Sequence, residues 1–221
     1  MKPTIYQEKR LWKKGYELVI GIDEAGRGPL AGSVFAGAVA INLKNLKKKD
    51  KNIFVLIKKE ANDSKKLSAK KREKIYEAMM KCSGILWGRG RVSEKVIDKI
   101  NILEATKVAM KRAVKNLESK IEKLEKIKEY LIIDGNIFLN VPLEQKSIIK
   151  ADEKVLSCSL ASIIAKVSRD RMMVNYHKKY SLYGFDRHKG YPTKFHRKMI
   201  KKNGILVIHR KSFSLLGEVV K

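Results

Sequence analysis

Three short apolar runs in this chain each lead into an aspartate. Glu17 to Ile22 runs into Asp23, Leu131-Ile132-Ile133 into Asp134, and Ser147-Ile148-Ile149 ends just before Asp152. Apolar runs of this length, bounded by turn residues, read as buried strands. A sheet brings remote side chains together where they stand at strand ends, so acids far apart in sequence can meet at one edge. Taken singly, each acid has a plainer reading; Asp134-Gly135, for instance, is a common turn pair. Their shared placement is what points to a site.

The segments between these runs carry helical periodicity. A helix is expected from Ala69 to Lys81 with Ser68 at its N-cap, and Ser93 caps a short one through Ile100. From Asn101 to about Glu129, residues Leu103, Met110, Val114, Leu117, Ile121 and Leu124 draw one apolar stripe, with Asn101 and Glu104 in a capping arrangement. Leu156 to Tyr180 and Thr193 to Lys202, the latter closed by Gly204, complete the helices. Further strands are expected at Ser33–Ile41, paired antiparallel with the first, at Ile53–Ile57 and at Gly84–Val92. The alternation predicts a mixed α/β domain with helices packed on a sheet.

Fifty Lys+Arg against 23 Asp+Glu give a formal charge of +27, which favours polyanionic partners and salt-sensitive association. A lysine-rich solvated surface explains part of it, so charge alone does not decide the partner. The 44% apolar content is enough for a core. Cys82 and Cys158 lack Cys-x-x-Cys spacing, which excludes a zinc knuckle. No secretory leader and no membrane-length apolar stretch is visible, so a soluble, cytoplasmic setting is expected. The organisation reads as a basic extension over 1–16, a catalytic domain over 17–213 and a tail over 214–221.

Asp23 and Glu24 stand side by side, followed by Gly26-Arg27-Gly28. Carboxylates suit hard cations such as Mg2+ or Mn2+, and two ions about 4 Å apart need several oxygen ligands with one shared. Asp23, Glu24, Asp134 and Asp152 would supply that set. On a regular strand Asp23 and Glu24 face opposite sides, so both reach one site only if the strand ends there. The glycines beside Arg27 let bare backbone approach a sugar or phosphate. A dinucleotide fold fits poorly, because Pro29 and a strand follow where a helix should. Tyr183 to Thr193 mixes aromatic and basic residues; Arg187, His188 and Lys189 are candidates for phosphate, and Tyr191 for a sugar and its 2′-OH. Lys65 is a further phosphate candidate, whereas His196 and His209 lack metal-ligand spacing.

Gly21 to Gly32 resembles the opening signature of the type 2 ribonucleases H, the ribonuclease HII family. Asp63-Ser64-Lys65-Lys66-Leu67-Ser68, Asp134-Gly135, Ala161 to Asp170, His188-Lys189-Gly190-Tyr191 and His209-Arg210-Lys211-Ser212-Phe213 follow in the family's order, the later ones closer to the bacterial branch. The resemblance implies an RNase H-like fold: a mixed five-stranded sheet flanked by helices, with a C-terminal helical region. It implies cleavage of RNA in RNA–DNA hybrids and incision 5′ to ribonucleotides embedded in duplex DNA, leaving 3′-hydroxyl and 5′-phosphate. It further implies an Mn2+ or Mg2+ pair and a monomer. By motif, Asp23, Glu24 and Asp134 match metal ligands, and Gly26, Arg27, Gly28 and Tyr191 match the ribonucleotide sensor. Asp152 matches the fourth acid, though Ala151 stands where bacterial relatives usually have Gly; Asp170 is its competitor, read instead as half of a structural ion pair. The type 3 enzymes usually carry Gly-Lys-Gly here and an added N-terminal domain, for which the residues before Glu17 leave no room. Two rivals are a non-catalytic nucleic-acid binder, which needs no acids at strand ends, and a transposase-like core, which would cut all-DNA duplex.

Overall fold

The computed structural model describes residues 2–62, 64–121 and 127–216, so Asp63, Leu124 and the tail from Gly217 lie outside the described residues. Its centre is a five-stranded sheet of β1 (Leu18–Ala25), β2 (Val34–Ile41), β3 (Ile85–Val92), β4 (Glu129–Asp134) and β5 (Glu144–Ile148), in the order β3-β2-β1-β4-β5. β1 pairs antiparallel with β2 and parallel with β4, and β4 pairs parallel with β5. Parallel pairing is what aligns the acids. Ile22 sits opposite Ile133, so Asp23 and Asp134 stand next to each other toward the same end of neighbouring strands. Asp134 sits opposite Ile148, and the chain then turns through Ala151–Glu153 to bring Asp152 back to that edge.

Period-two alternation divides β1 between two layers. Leu18, Ile20 and Ile22 pack with Ala105, Ala109, Ala113 and Leu117 of α4 (Glu94–Glu118). On the other face lies α5 (Leu156–Lys179), pressed so close that a Cβ on Gly21 would meet Ser157 and Cys158 backbone at 2.4 Å. A Cβ on Gly37 would likewise fall 2.2 Å from the Ala161 carbonyl. Glycine here is a packing requirement. It lays α5 directly over the face that carries Asp23.

The expected Ile53–Ile57 strand is a helix, α2 (Lys51–Glu60). Ile53, Phe54 and Ile57 fall on one helical face against the core formed with α3 (Ala69–Lys81), while Val55 is exposed. A five-residue apolar run carries too little periodicity to separate the two readings. The expected break at Asn101 is present inside α4: its φ of 63° is non-helical, and its side chain accepts from the Leu103 and Glu104 N–H groups.

The residues before β1 form α1 (Tyr6–Lys13), whose fully buried Glu8 accepts a 2.8 Å hydrogen bond from the Ser157 N–H at the start of α5. An acid there suits the positive end of the helix. At the other end α6 (Phe185–His188) and α7 (Lys194–Asn203) pack with Leu30 and Ala31 of the β1–β2 connection around Phe185 and Ile208. Among the described residues no helix is long and apolar enough to cross a membrane, and both cysteines are buried and free.

Candidate metal centre

Asp23, Asp134 and Asp152 each place a carboxylate oxygen within 4.8 Å of the others. Backbone donors fix their aim: the Glu24 N–H donates to Asp23 Oδ1 at 2.7 Å, and the Ala151 N–H to Asp134 Oδ1 at 2.6 Å. Ala151 is fully buried, and the methyl group it has in place of glycine leaves Asp152 in the cluster. Asp23 also takes a hydrogen bond from Ser162 on α5, and the Ser162 hydroxyl lies 2.7 Å from that of Ser64. Arg72 of α3 donates to the Ser64 carbonyl at 2.7 Å, which ties the Ser64 loop to the centre.

Glu24 stands outside the 4.8 Å group. β1 continues through Ala25, so Glu24 keeps the alternate orientation and pairs with Arg27 at 3.4 Å. It remains close enough to Asp134 and Lys65 for their charges to act on it. Asp170 is not in the group either: it pairs with Lys166 at 2.8 Å and Arg72 at 3.7 Å, an ion-pair role filled by partners other than its neighbour Arg169.

Burial first, then the charges of Glu24 and Asp134, hold Asp23 well above the usual carboxylate range. Burial also raises Glu24, against the opposing pull of Arg27. Desolvated carboxylates this close repel one another, and either protons or cations must relieve them. All-oxygen donors at strand ends are the chemistry of hard divalent ions, so the residues fit such a group.

Beside the acids runs the loop Gly26–Ser33, braced by two arginines that motif matching alone left without a role. Arg210 is fully buried and donates to the carbonyls of Gly26 at 2.6 Å, Arg27 at 2.9 Å and Gly32 at 2.9 Å. Arg169 donates to the carbonyls of Ala31 at 3.1 Å, Ser33 at 3.3 Å and Lys189 at 2.9 Å. Burial lowers them to about 9 and about 10 respectively, which leaves both charged at neutral pH. In a trans peptide the N–H points opposite the C=O, and no peptide in the described residues is cis. With the Gly26 and Arg27 carbonyls turned in to Arg210, the Arg27 and Gly28 N–H groups are turned the other way, available to a ligand.

A Cβ on Gly28 would lie 4.0 Å from the Tyr191 ring, which is 42% exposed. The Arg169 guanidinium lies 5.8 Å from that ring, so one arginine organises both the loop and the tyrosine. His188 does not face outward as a phosphate ligand: its Nδ1 accepts from the Gly190 N–H at 3.1 Å and its Nε2 contacts the Tyr183 carbonyl at 2.6 Å. The buried His196 and His209 meet Nε2 to Nε2 at 3.1 Å. The Leu206 N–H donates to His209 Nδ1, and His196 Nδ1 faces the Tyr191 carbonyl at 3.0 Å. Two neutral rings therefore relay hydrogen bonds to the backbone of Tyr191.

Solved structures with this topology define the class. The ribonuclease H2 of Pyrococcus horikoshii is 29% identical with a TM-score of 0.64, covering 90% of this chain and 95% of its own. The Bst-RNase HIII complex with Mn2+ is 17% identical, with a TM-score of 0.69 over 90% of this chain and 68% of that one, and shares the fold. This is an RNase H-like α/β enzyme with an acidic centre. The narrower assignment comes from sequence: the family model for Ribonuclease HII matches residues 20–216. Proteins named Ribonuclease HII from Acetivibrio thermocellus and Caldicellulosiruptor bescii are 47% and 46% identical, covering 94% and 93% of this chain and 73% and 91% of theirs. One from Bacillus anthracis is 45% identical over 97% of this chain and 76% of its own. The chain belongs to the ribonuclease HII family. It is a type 2 ribonuclease H, a divalent-metal-dependent endonuclease acting on the RNA of RNA–DNA hybrids.

Proposed function

We propose that this enzyme also incises duplex DNA on the 5′ side of an embedded ribonucleotide, leaving 3′-hydroxyl and 5′-phosphate ends, and that it works as a monomer. Asp23, Asp134 and Asp152 hold the divalent ions, Mn2+ or Mg2+, with Glu24 completing the set from the edge of the cluster. Bound there, the ions would lower the pKa of an attacking water and stabilise the departing oxygen. The chain itself supplies alignment. Ser162 and the Glu24 and Ala151 N–H groups fix the carboxylates, so ligand geometry does not have to be recruited when substrate arrives.

Selection for the ribonucleotide falls to Gly26, Arg27, Gly28 and Tyr191. The outward N–H groups of Arg27 and Gly28 can donate to sugar or phosphate oxygens, and the Tyr191 ring offers a sugar-packing face with a hydroxyl for the 2′-OH. Lys65, whose charge reaches Glu24, would meet a phosphate as it approaches the acids. The observation that carries this reading is that Gly28, in the loop directly after Asp23 and Glu24, faces the exposed Tyr191 ring, so that a Cβ there would lie 4.0 Å from it. The test is incision of a duplex bearing one ribonucleotide, with Mn2+ or Mg2+, by wild type and Tyr191→Ala. Tyr191→Ala should lose about tenfold or more on that duplex while retaining more activity on an all-RNA hybrid strand. Equal losses on both substrates would remove Tyr191 from the sensor.

A further inference from the structure

We propose that the cleft between α3, α5 and the α6 segment carrying Arg187 and Lys189 is a second phosphodiester site, holding the substrate backbone several nucleotides from the cleavage position. This rests on reading the carboxylate cluster as the cleavage centre. The cleft encloses about 690 Å3, and its lining carries a surplus of three positive charges.

One helix connects it to the acids. Ser162, which bonds Asp23, is followed on α5 by Lys166 and Asp170 at four-residue spacing, and both line the cleft. At about 1.5 Å rise per residue, Lys166 lies ~6 Å and Val174 ~18 Å along α5 from Ser162. At roughly 3.4 Å per nucleotide, that interval spans about two to five steps of a strand. The second wall is also continuous with the centre, because Arg72 of α3 lines the cleft and holds the Ser64 carbonyl. The third wall is the segment that leads to Tyr191, whose ring lies 5.9 Å from the Lys166 ammonium.

The cations are built in rather than scattered. Asp170 is shared by Lys166 and Arg72, one acid for two cations, which orders both and leaves a net positive floor. Arg171 is held by Glu73 at 2.5 Å with its guanidinium 4.6 Å from the Tyr76 ring. Arg187 is exposed at the rim. Arginine supplies only 11 of the chain's 50 basic residues, yet three of the five basic residues in this cleft. A lysine-rich surface filling its solvated faces would not concentrate arginine here. The planar guanidinium fork is suited to phosphate oxygens.

The test uses the full chain and a series of DNA duplexes with one ribonucleotide, the flanks shortened in turn on each side from ten base pairs to two. A parallel series carries four consecutive ribonucleotides. The double variant Arg171→Gln with Arg187→Gln is compared with Lys48→Gln with Lys49→Gln, which removes equal charge beyond the Ile41 end of the sheet, away from Asp23. Wild type should gain about tenfold in kcat/KM as one flank, and only one, lengthens through five base pairs. The arginine variant should lose that gain, through KM, and its salt slope for long duplex should fall by roughly two. Retention of the gain by the arginine variant, or the same loss in the lysine variant, would overturn the proposal. Should wild type leave a lone ribonucleotide uncut, the embedded-ribonucleotide reading falls by itself, and the four-ribonucleotide series still decides the cleft.

Discussion

The Arg210 guanidinium donates at 2.6 Å to the Gly26 carbonyl, 184 residues away in sequence. That bond fixes which way the Gly26–Arg27 peptide turns, and so which way its N–H faces. A residue late in the sequence thereby organises a loop beside Asp23. Arg169 braces the other half of the same loop and lies under Tyr191, so the two arginines make one rigid unit of loop and tyrosine.

Replacing Arg210 by Lys keeps the charge but not the fork that serves three carbonyls. We expect a loss of about 2–3 kcal/mol in urea denaturation, since buried carbonyls are left without donors. Where the variant is folded, its preference for a ribonucleotide in duplex DNA over an all-RNA strand should fall. Stability within 0.5 kcal/mol of wild type, as an order-of-magnitude bound on an unimportant side chain, would contradict the bracing role.

Gly26 and Gly28 flank the same arginine but should respond differently to alanine. Gly26 has a φ of 100°, and a Cβ there would lie 2.2 Å from the buried Arg169 Nε; Gly28 meets only the Tyr191 ring, at 4.0 Å. Gly26→Ala should cost about 2–4 kcal/mol of stability, combining backbone strain with displacement of Arg169. Gly28→Ala should fold normally and raise KM for substrate. Thermal melts and steady-state kinetics on the pair separate a folding requirement from a binding one.

The acids should behave as a site strained by its own charge. Asp134→Asn removes one member of the repelling cluster, so the metal-free variant should be more stable than metal-free wild type by about 1 kcal/mol. It should also lose cleavage while still binding hybrid, and lose most of the melting-temperature rise that Mn2+ gives wild type. Melts in EDTA and in Mn2+ test both parts. A variant that is cleavage-dead yet keeps the full Mn2+ shift would place the ions elsewhere.

How much of this was legible in the sequence follows from which contacts are local. The sheet and its acidic edge were readable because Val19, Ile20 and Ile22 declare a strand that leads into Asp23, although β1 runs on to Ala25; Leu131 to Asp134 reads the same way, and there the strand does end at the acid. Helix α3 was readable because Ser68 is a local cap, accepting from the Lys71 N–H. Helix α2 was not, because Ile53 to Ile57 is too short to show its period. The orientation of Glu24 depended on whether β1 stops, which its pairing with β2 decides rather than any nearby residue. Arg169 and Arg210 bond to backbone carbonyls, and a carbonyl leaves no mark in sequence. The motifs named these residues without saying what they do. The same is true of His188: its basic neighbours Arg187 and Lys189 made a phosphate role look natural, while both ring nitrogens turn inward.

The histidine relay gives a pH prediction with a definite sign. Burial pushes His196 down to about 4, and lowers His209 as well, so both are neutral in the fold at neutral pH. Above about 6.5 the unfolded chain is neutral too, and the pair costs nothing. As pH falls from about 6.5 toward about 4, the unfolded histidines take protons that the folded ones refuse, and stability falls. Asp23 and Glu24 act in the opposite sense, because their raised folded values favour proton uptake by the native state. Wild type alone therefore mixes the two slopes, and a comparison isolates the relay. His196→Gln can still reach the Tyr191 carbonyl through an amide N–H but cannot ionise. Between pH 7.5 and pH 4.5 it should lose roughly 2 kcal/mol less stability than wild type, the full shift being discounted for solvent. Parallel curves for the two proteins would mean that His196 titrates in the fold as it does in the unfolded chain, and the neutral relay to Tyr191 would be wrong.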